Sequence, residues 1–600
     1  MELGLGRSSD HPVTTTSFPV FVYQSLVFNP ENPRCIPPRR WRKQARSIVV
    51  AAHQSCERQF PIEDMRRLWS VSEYQLQPPP AVVAQRISFL DESRRRALGD
   101  GADVGQYSLQ EHAQLGLKEL LSLPPCPGLS DARSGPSNFI IDASKPIWVL
   151  RVAFEGVRYI RYLSNAAGRP GSVRISAPGN VPLAKLYITS DHLGVRDIFF
   201  QEDESSNHEQ PGVWWSVYNV NEQQRLLKVY TDSIKVRALR AVETSTGEAV
   251  GLMSRWSLLP PKQEAIWFLD LDDRARGRSL FKVFNCDSPG IFGYSACMLD
   301  GDLVDLHCHV LGEDFSFYHA GDGERRHAVW VFLPVEKGER IIEVWRRIRR
   351  PRFCRDIPVL RTNKGRVLCL GIHAGALELP VEYERVTLFP ESGPHRFWYS
   401  LLPDGVDSFA FDGSDLRRRQ VEASRVLGDD GPVHSGYRNQ GFASTARLEN
   451  VVEVIPCRSW TPGSTGIVGL ILTYSDGHKD SVGQIRLDHL MPPVAVDPTG
   501  DMWLGSRAHP VSQWHGSIVE AMRIIPSDGG TIYGGNTSEQ GLRWIRVQWR
   551  GRLDWLFWYR QSWVSSTEHP VCTNDAAVVL GALAKKLAKE EETRESVSGS

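Results

Sequence analysis

From Pro146 to about residue 565 the sequence alternates apolar and polar side chains with a period of two, and no long helix pattern interrupts it. A two-residue repeat sends successive side chains to opposite faces of an extended chain, so it specifies β-strands with one face buried. Residues 148–163, WVLRVAFEGVRYIRYL, show the pattern on both sides of a short turn at Glu155-Gly156. LGVRDIFFQEDE, the polar loop SSNHEQPG and GVWWSVYNV follow as strand, loop and strand. Later come HAVWVFLPV, RIIEVW, VLRTNKGRVLCLG, RFWYSLL, TGIVGLILTYSDGHKDSVGQIRL, SIVEAMRIIPSDGGTIYGG and GLRWIRVQWRGRLDWLFWYRQSW. The Ser-Asp-Gly steps at 475–477 and 527–529 each follow an Ile/Leu-rich run, and Asp-Gly between apolar strands is a hairpin signal. Short turns between successive strands argue for antiparallel sandwiches or prisms and against a βαβ enzyme fold. The 50 glycines, 38 prolines and 18 tryptophans suit that reading, since turns need the first two and strands favour aromatics.

A chain of 600 residues is too long for one core. Residues 1–145 differ from the rest: Pro-rich patches surround two helix candidates, at 62–76 and at 108–123, the second opened by a Ser108/Glu111 capping box. The expected organisation is a helical, partly irregular region over 1–145 and β domains over 146–285, 286–410 and 411–568. A C-terminal helix with a polar tail over 569–600 completes it. The fold class is mainly β.

The 70 basic and 70 acidic residues cancel, which argues against nucleic acid as partner. No stretch approaches the ~18 apolar residues of a membrane span, and the start lacks the charged and apolar regions of a signal peptide. Ten scattered cysteines without a CxxC pair read as reduced thiols. The expected location is intracellular, cytoplasmic or nuclear.

Motifs for chemistry are sparse. There is no phosphate-binding GxxxxGK[ST] loop and no GxGxxG after a strand. Gly293-Tyr294-Ser295-Ala296-Cys297 lacks the second glycine of a nucleophile elbow. Asp270, Asp272 and Asp273 read as a turn. Leu306-His307-Cys308-His309, with His319 and His327 downstream, is the one His/Cys cluster; His307 and His309 share a strand face. Without a second ligand pair they read as strand histidines, so neither metal nor cofactor is expected. Arg346, Arg347, Arg349 and Arg350 fall in a basic stretch read as a loop between strands, where a phosphate-rich partner would find bidentate donors. Trp544, Trp549, Trp555, Trp558 and Trp563 surround Arg550-Gly551-Arg552 on an expected hairpin; an exposed one would stack on a sugar or anchor a protein.

Two resemblances add to this reading. In GERIIEVW followed by VLRTNKGRVLCLG, residues Gly338, Glu339, Ile341, Thr362, Asn363, Gly365, Arg366 and Gly371 match the jacalin-related β-prism pattern, and TGIVGLILTYSDG is similar to another strand of that family. This implies jacalin-like units within 286–410 and 411–568, and carbohydrate binding at Gly551, Asp554 and Trp555. The family's G-x-x-x-D sugar loop is one residue longer than Gly551-Arg552-Leu553-Asp554. More widely, residues 140–565 resemble the β-rich C-terminal region of filamentous-fungal F-box-type proteins, although the L-P-x-E-(L/I) start of an F-box is absent. That resemblance implies a non-enzymatic protein that recognises a protein partner through loops at the ends of its sheets, with Skp1 and a cullin as further partners. A carbohydrate-binding module is the alternative, and an enzyme of unrecognised type the third.

Overall fold

The computed structural model describes residues 137–566 apart from a series of loops, among them 201–209, 244–253, 320–327, 349–354, 373–381, 423–440, 508–517 and 526–541. It also describes the strands Pro19–Val22 and Ser47–Val50 and scattered positions between 78 and 92. The protein is mainly β, built of antiparallel sheets. The expected helices at 62–76, 108–123 and 569–600 and the turn at 527–529 lie outside the described residues. Within the region read as helical and irregular, PVFV and SIVV pair antiparallel; both are rich in β-branched residues that suit a ladder.

The chain divides into two compact units, 1–260 with 276–282 and 261–275 with 283–600. Residue 410, expected to end a domain, lies inside the second unit, whose core takes Phe397 and Phe409 from before it and Phe411, Phe442, Leu470 and Trp555 from after it.

In the first unit, Ile147–Phe154 and Val157–Ser164 form the expected hairpin, with Phe154 opposite Val157. The register shifts between Leu150 and Arg151, leaving Arg161 of the partner strand as the extra residue, and burial changes face along the first strand: Ile147 and Val149 pack into one apolar cluster, Val152 and Phe154 into another. Ser137–Asp142, Leu226–Thr231 and Val236–Val242 make a second antiparallel sheet. Val195–Phe199 and Trp214–Val220 flank Ala184–Ser190. Ile141, Val149, Ile160, Leu186, Leu227 and Val236 meet in one core.

In the second unit, Ile291–Leu299 pairs with Asp302–Val310 through a turn at Asp300-Gly301 and with Val329–Pro334 on its other edge. A five-stranded sheet runs Val367–Cys369, Ile357–Thr362, Ile341–Ile348, Glu382–Leu388 and Gln420–Glu422. A larger sheet carries Ile467–Tyr474 between Val451–Arg458 and Ile518–Ile525, and the expected Ser475-Asp476-Gly477 hairpin returns as Lys479–Gly483. Phe442–Arg447, Arg552–Trp558 and Gln561–Ser566 form a further three-stranded sheet.

The GE…TNKGR stretch has a structural explanation. Glu339, buried, accepts hydrogen bonds from Thr362 Oγ1 at 2.7 Å and from Arg366 Nε at 2.9 Å and Nη2 at 2.6 Å. Arg366 Nη1 donates to Lys479 O at 2.7 Å and Asp480 Oδ1 at 3.1 Å, fastening the next hairpin. Asn363 closes the adjoining turn, donating to Gly338 O at 3.1 Å and accepting from Arg340 N at 3.1 Å. Gly338 and Gly365 have φ of 79° and 82°, which residues with a Cβ rarely adopt. Burial alone would raise the Glu339 carboxyl, but donation from Arg366 and Thr362 outweighs it and holds the carboxyl below its ordinary value.

Candidate functional site

The first unit carries two loops built alike. Ser190-Asp191-His192-Leu193-Gly194-Val195-Arg196 and Thr231-Asp232-Ser233-Ile234-Lys235-Val236-Arg237 each follow one strand of a hairpin and lead into the next. In the first, Asp191 Oδ1 accepts from Leu193 N at 2.8 Å and Gly194 N at 3.1 Å. In the second, Asp232 Oδ1 accepts from Ile234 N at 3.0 Å and Lys235 N at 2.8 Å. An Asp side chain capping its own turn is the reason for the type at both positions. Both hairpins also carry a bulge, at Thr189/Ser190 and at Tyr230/Thr231.

The widest difference between the two loops is at Gly194 and Lys235. Gly194 approaches Val236 so closely that a Cβ would stand 2.5 Å from Val236 O. Its counterpart Lys235 is buried, pairs with Asp232 Oδ2 at 2.9 Å and lies 4.8 Å from the Phe154 ring centroid. Arg237 Nη1 donates to Leu193 O at 2.7 Å, so the second loop holds the first in place.

A cavity of about 400 Å3 opens at this end of the strands. Its walls are Phe154, Gly156, Val157 and Tyr159, the 191–193 loop with Arg196, the 210–213 loop, and helical positions of the 82–89 segment. Val82 and Phe89 are seven residues apart, two helical turns, and so share a face. The glycines opposite leave room for them. A Cβ on Gly156 would come within 2.6 Å of Phe89 Cδ2, and one on Gly212 within 3.0 Å of Val82 Cγ2. The carboxylate of Asp191 is engaged by Tyr159 OH at 2.7 Å and by its own turn. Arg196 lines the same cavity and makes no ion pair among the described residues. The site thus combines an apolar rim with one cationic group. The sequence signals for it are the repeated Asp-x-(Leu/Ile)-x-Val-Arg and the Val82/Phe89 spacing after Pro78-Pro79-Pro80, which carry no family motif and so escape a search for chemistry.

The residues singled out in the sequence lie elsewhere. Trp555 is fully buried, and a Cβ on Gly483 would be 3.2 Å from its Cε2; it is a core side chain and presents no face to a sugar or partner. The hairpin expected around Arg550-Gly551-Arg552 does not form. Arg543–Gln548 pairs with Asp501–Arg507, whereas Arg552–Trp558 pairs with Phe442–Arg447 and Gln561–Ser566, so the chain changes sheets at Gly551. Gly551, with φ of 74°, is tied to the 447–450 turn by Leu448 N to its O at 3.0 Å and by its N to Glu449 Oε1 at 2.7 Å. Asp554 accepts from Thr445 Oγ1 at 2.7 Å and pairs with Arg552 Nε at 2.9 Å. Trp544 lies under the Arg523 guanidinium, 4.7 Å from its ring centroid, and Trp549 packs half-buried on the core. The side chains of Trp558 and Trp563 lie outside the described residues.

The basic stretch is resolved differently from its reading as a loop. Arg346 and Arg347 belong to the strand Ile341–Ile348. Arg346 stands opposite Glu384 and donates to it through Nε at 3.1 Å, with Asp356 Oδ2 3.4 Å from Nη1. Arg347, on the other face, is buried and donates to Ile372 O. Arg346 is met by two carboxylates and Arg347 is buried against a carbonyl, so neither offers a free fork to phosphate. Arg349 and Arg350 lie outside the described residues. Cys286, Cys297, Cys308, Cys369 and Cys457 are free thiols.

His307 and His309 share one face of Asp302–Val310, as their spacing requires, and a third group joins them. Gly312, at φ of 85°, turns the chain back so that Glu313 meets both rings. His307 Nε2 lies 3.0 Å from Glu313 Oε2, and His309 Nδ1 contacts Glu313 Oε1. On its far side His309 Nε2 is 2.8 Å from Ser295 Oγ and 3.1 Å from Tyr318 OH. Burial, with His307 alongside, pulls the His309 imidazole down to about 4 in spite of the Glu313 carboxylate. Histidine spacing pointed to the pair; Glu313 was missed because a turn, not a strand period, brings it in.

No protein-family model matches this sequence, and no curated protein is significantly similar to it.

Proposed function

We propose that this chain is a non-enzymatic intracellular recognition protein that takes an acidic segment of a partner polypeptide into the loop-end cavity of its first unit. The cavity carries the reading. It lies at the ends of the strands, where loops of varied sequence sit on a rigid frame. It is rimmed by Phe89, Phe154 and Val213, and Arg196 lines it without an ion-pair partner among the described residues. An aromatic rim around a single guanidinium suits an apolar side chain followed by a carboxylate, with Arg196 supplying the charge-assisted bond. The resemblance of residues 140–565 to fungal F-box-type proteins supports a substrate-recognition role and adds Skp1 and a cullin as partners. The carbohydrate alternative loses its support from geometry, since Trp555 is buried and Asp554 is bonded to Thr445 and Arg552.

The test is an affinity capture from fungal lysate with tagged full-length chain and its Arg196→Glu variant, compared by quantitative mass spectrometry. The expected result is a set of proteins held by the parent and depleted at least tenfold by the variant. Identical recovery by the two chains would remove the cavity from recognition. Skp1 and a cullin retained by both chains would make this a degradation adaptor whose substrates are the Arg196-dependent set. Their absence would leave a stand-alone recognition protein.

A further inference from the structure

We propose that His307, His309 and Glu313 bind one first-row divalent transition metal ion through His307 Nε2, His309 Nδ1 and a Glu313 oxygen, at a half-open site on the second unit.

Three observations carry this. First, the three donor atoms converge: all lie within 4.8 Å of one another. Bonds of about 2.0–2.1 Å in tetrahedral array set donors roughly 3.4 Å apart. The 3.0 Å between His307 Nε2 and Glu313 Oε2 therefore needs only a few tenths of an ångström of opening. Second, the ring nitrogen of His309 that would not touch metal is already held, by Ser295 Oγ at 2.8 Å and Tyr318 OH at 3.1 Å. A ligating histidine ordinarily has its other nitrogen fixed in this way, which sets ring orientation and tautomer. Third, the shell is apolar and rigid while one side remains open. The His307 ring stacks on Phe317 with centroids 4.6 Å apart, and the His309 ring lies within 6 Å of Phe292, Tyr318 and Phe332. The His307 side chain is 28% exposed and Glu313 14%, which gives an ion access from solvent.

The donor set narrows the ion. Two imidazoles and one carboxylate favour Zn2+, Fe2+ or Co2+ over Ca2+ and Mg2+, which prefer all-oxygen sites. Cys308 lies between the two histidines in the strand, so its side chain points to the opposite face. Three protein donors leave at least one position for water, unlike the closed four-ligand sites that serve structure alone.

The test uses the full-length chain, stripped with chelator, dialysed and titrated with Co2+. One equivalent should bind with visible d–d absorption and be displaced by Zn2+. His307→Gln and Glu313→Gln should each weaken binding at least a hundredfold, while His478→Gln, in an exposed Asp476 pair elsewhere, should leave it unchanged. Ser295→Ala and Tyr318→Phe should weaken it about 10- to 100-fold through the orientation of His309. X-ray absorption on the unmutated Co2+ protein gives a readout that needs no variant: it should show two imidazoles and no sulfur. Failure to take up Co2+ in near-stoichiometric amount, uptake unaffected by both His307→Gln and Glu313→Gln, or a shell containing sulfur would each overturn the assignment.

Discussion

Arg366 Nη2 and Glu339 Oε2 lie 2.6 Å apart, joining two turns 27 residues apart in sequence, and the same guanidinium reaches on to Asp480 at 3.1 Å. Glu339 has a fully buried side chain, so removing one partner strands a charge in the other. Glu339→Gln and Arg366→Ala should each destabilise the second unit by about 3 kcal/mol. The double variant should be less destabilised than the two singles summed. Denaturant midpoints around this double-mutant cycle check it, and simple additivity would show the pair to be uncoupled.

The same pair sets a pH dependence. The Glu339 carboxyl lies below its ordinary value of 4.5 in the folded chain, so the unfolded chain takes up the proton first as pH falls. The stability it contributes is complete above pH 4.5 and is lost as pH drops through the lower folded value. Asp480 acts in reverse: burial raises its carboxyl, Arg366 offsets only part of that, and its protonation at low pH relieves a burial cost. The gap in unfolding midpoint between the parent and Glu339→Gln should therefore be smaller at pH 3 than at pH 7. A gap independent of pH would show that the carboxylate charge contributes nothing.

Trp555→Ala should destabilise by about 3–5 kcal/mol, the cost of emptying an aromatic site in a packed core. Glycan-array binding by the parent chain should show no dependence on this residue beyond loss of folded protein. Trp555 Cε2 lies where a Cβ on Gly483 would approach to 3.2 Å, and Gly483 has φ of 77°, so Gly483→Ala should be similarly disruptive. Both are read by chemical denaturation followed through tryptophan fluorescence. Retention of the parent midpoint by Trp555→Ala would place that ring outside the core.

Period and turn chemistry were legible in the sequence; partner choice was not. WVLRVAFEGVRYIRYL forms its hairpin because its two arms are adjacent in sequence and joined by a two-residue step. WIRVQWRGRLDWLFW has the same period and a similar Arg-Gly step, yet its arms enter different sheets. Alternation states which side chains face inward and is silent about which strand lies alongside. The arginines misled for a related reason. Glu384, which stands opposite Arg346, is 38 residues away, and only the strand register shows that the charge is met. The Asp191 and Asp232 loops were open to reading from their repeated sequence, because the Asp caps its own turn by contacts spanning two or three residues.

That local origin makes the loops separable by mutation. Asp191→Ala removes the acceptor for Leu193 N, Gly194 N and Tyr159 OH and should cost about 1–3 kcal/mol, the penalty for buried donors left unmatched. It should also abolish the Arg196-dependent captures, because it loosens the cavity wall. Asp191→Asn retains an acceptor oxygen and should keep most of both. Hydrogen exchange at Leu193 and Gly194 reads the loop directly; unchanged protection in Asp191→Ala would show that the side chain does not organise it.

Ser295, His309 and Glu313 are strung together in the order of a nucleophile, base and orienting acid, with Ser295 Oγ 2.8 Å from His309 Nε2. A serine nucleophile needs more than that relay: a substrate must reach the hydroxyl, and donors must await the developing oxyanion. Ser295 has no exposed surface, and its strand is paired on both edges at this point, opposite His307 on one side and Phe332 on the other. Its own backbone therefore lies within a ladder, unlike the exposed strand-to-helix turn of a nucleophile elbow. A fluorophosphonate probe should leave Ser295 unmodified in the folded chain, as read by peptide mass spectrometry. Stoichiometric labelling abolished by His309→Gln would overturn this and make the second unit a hydrolase.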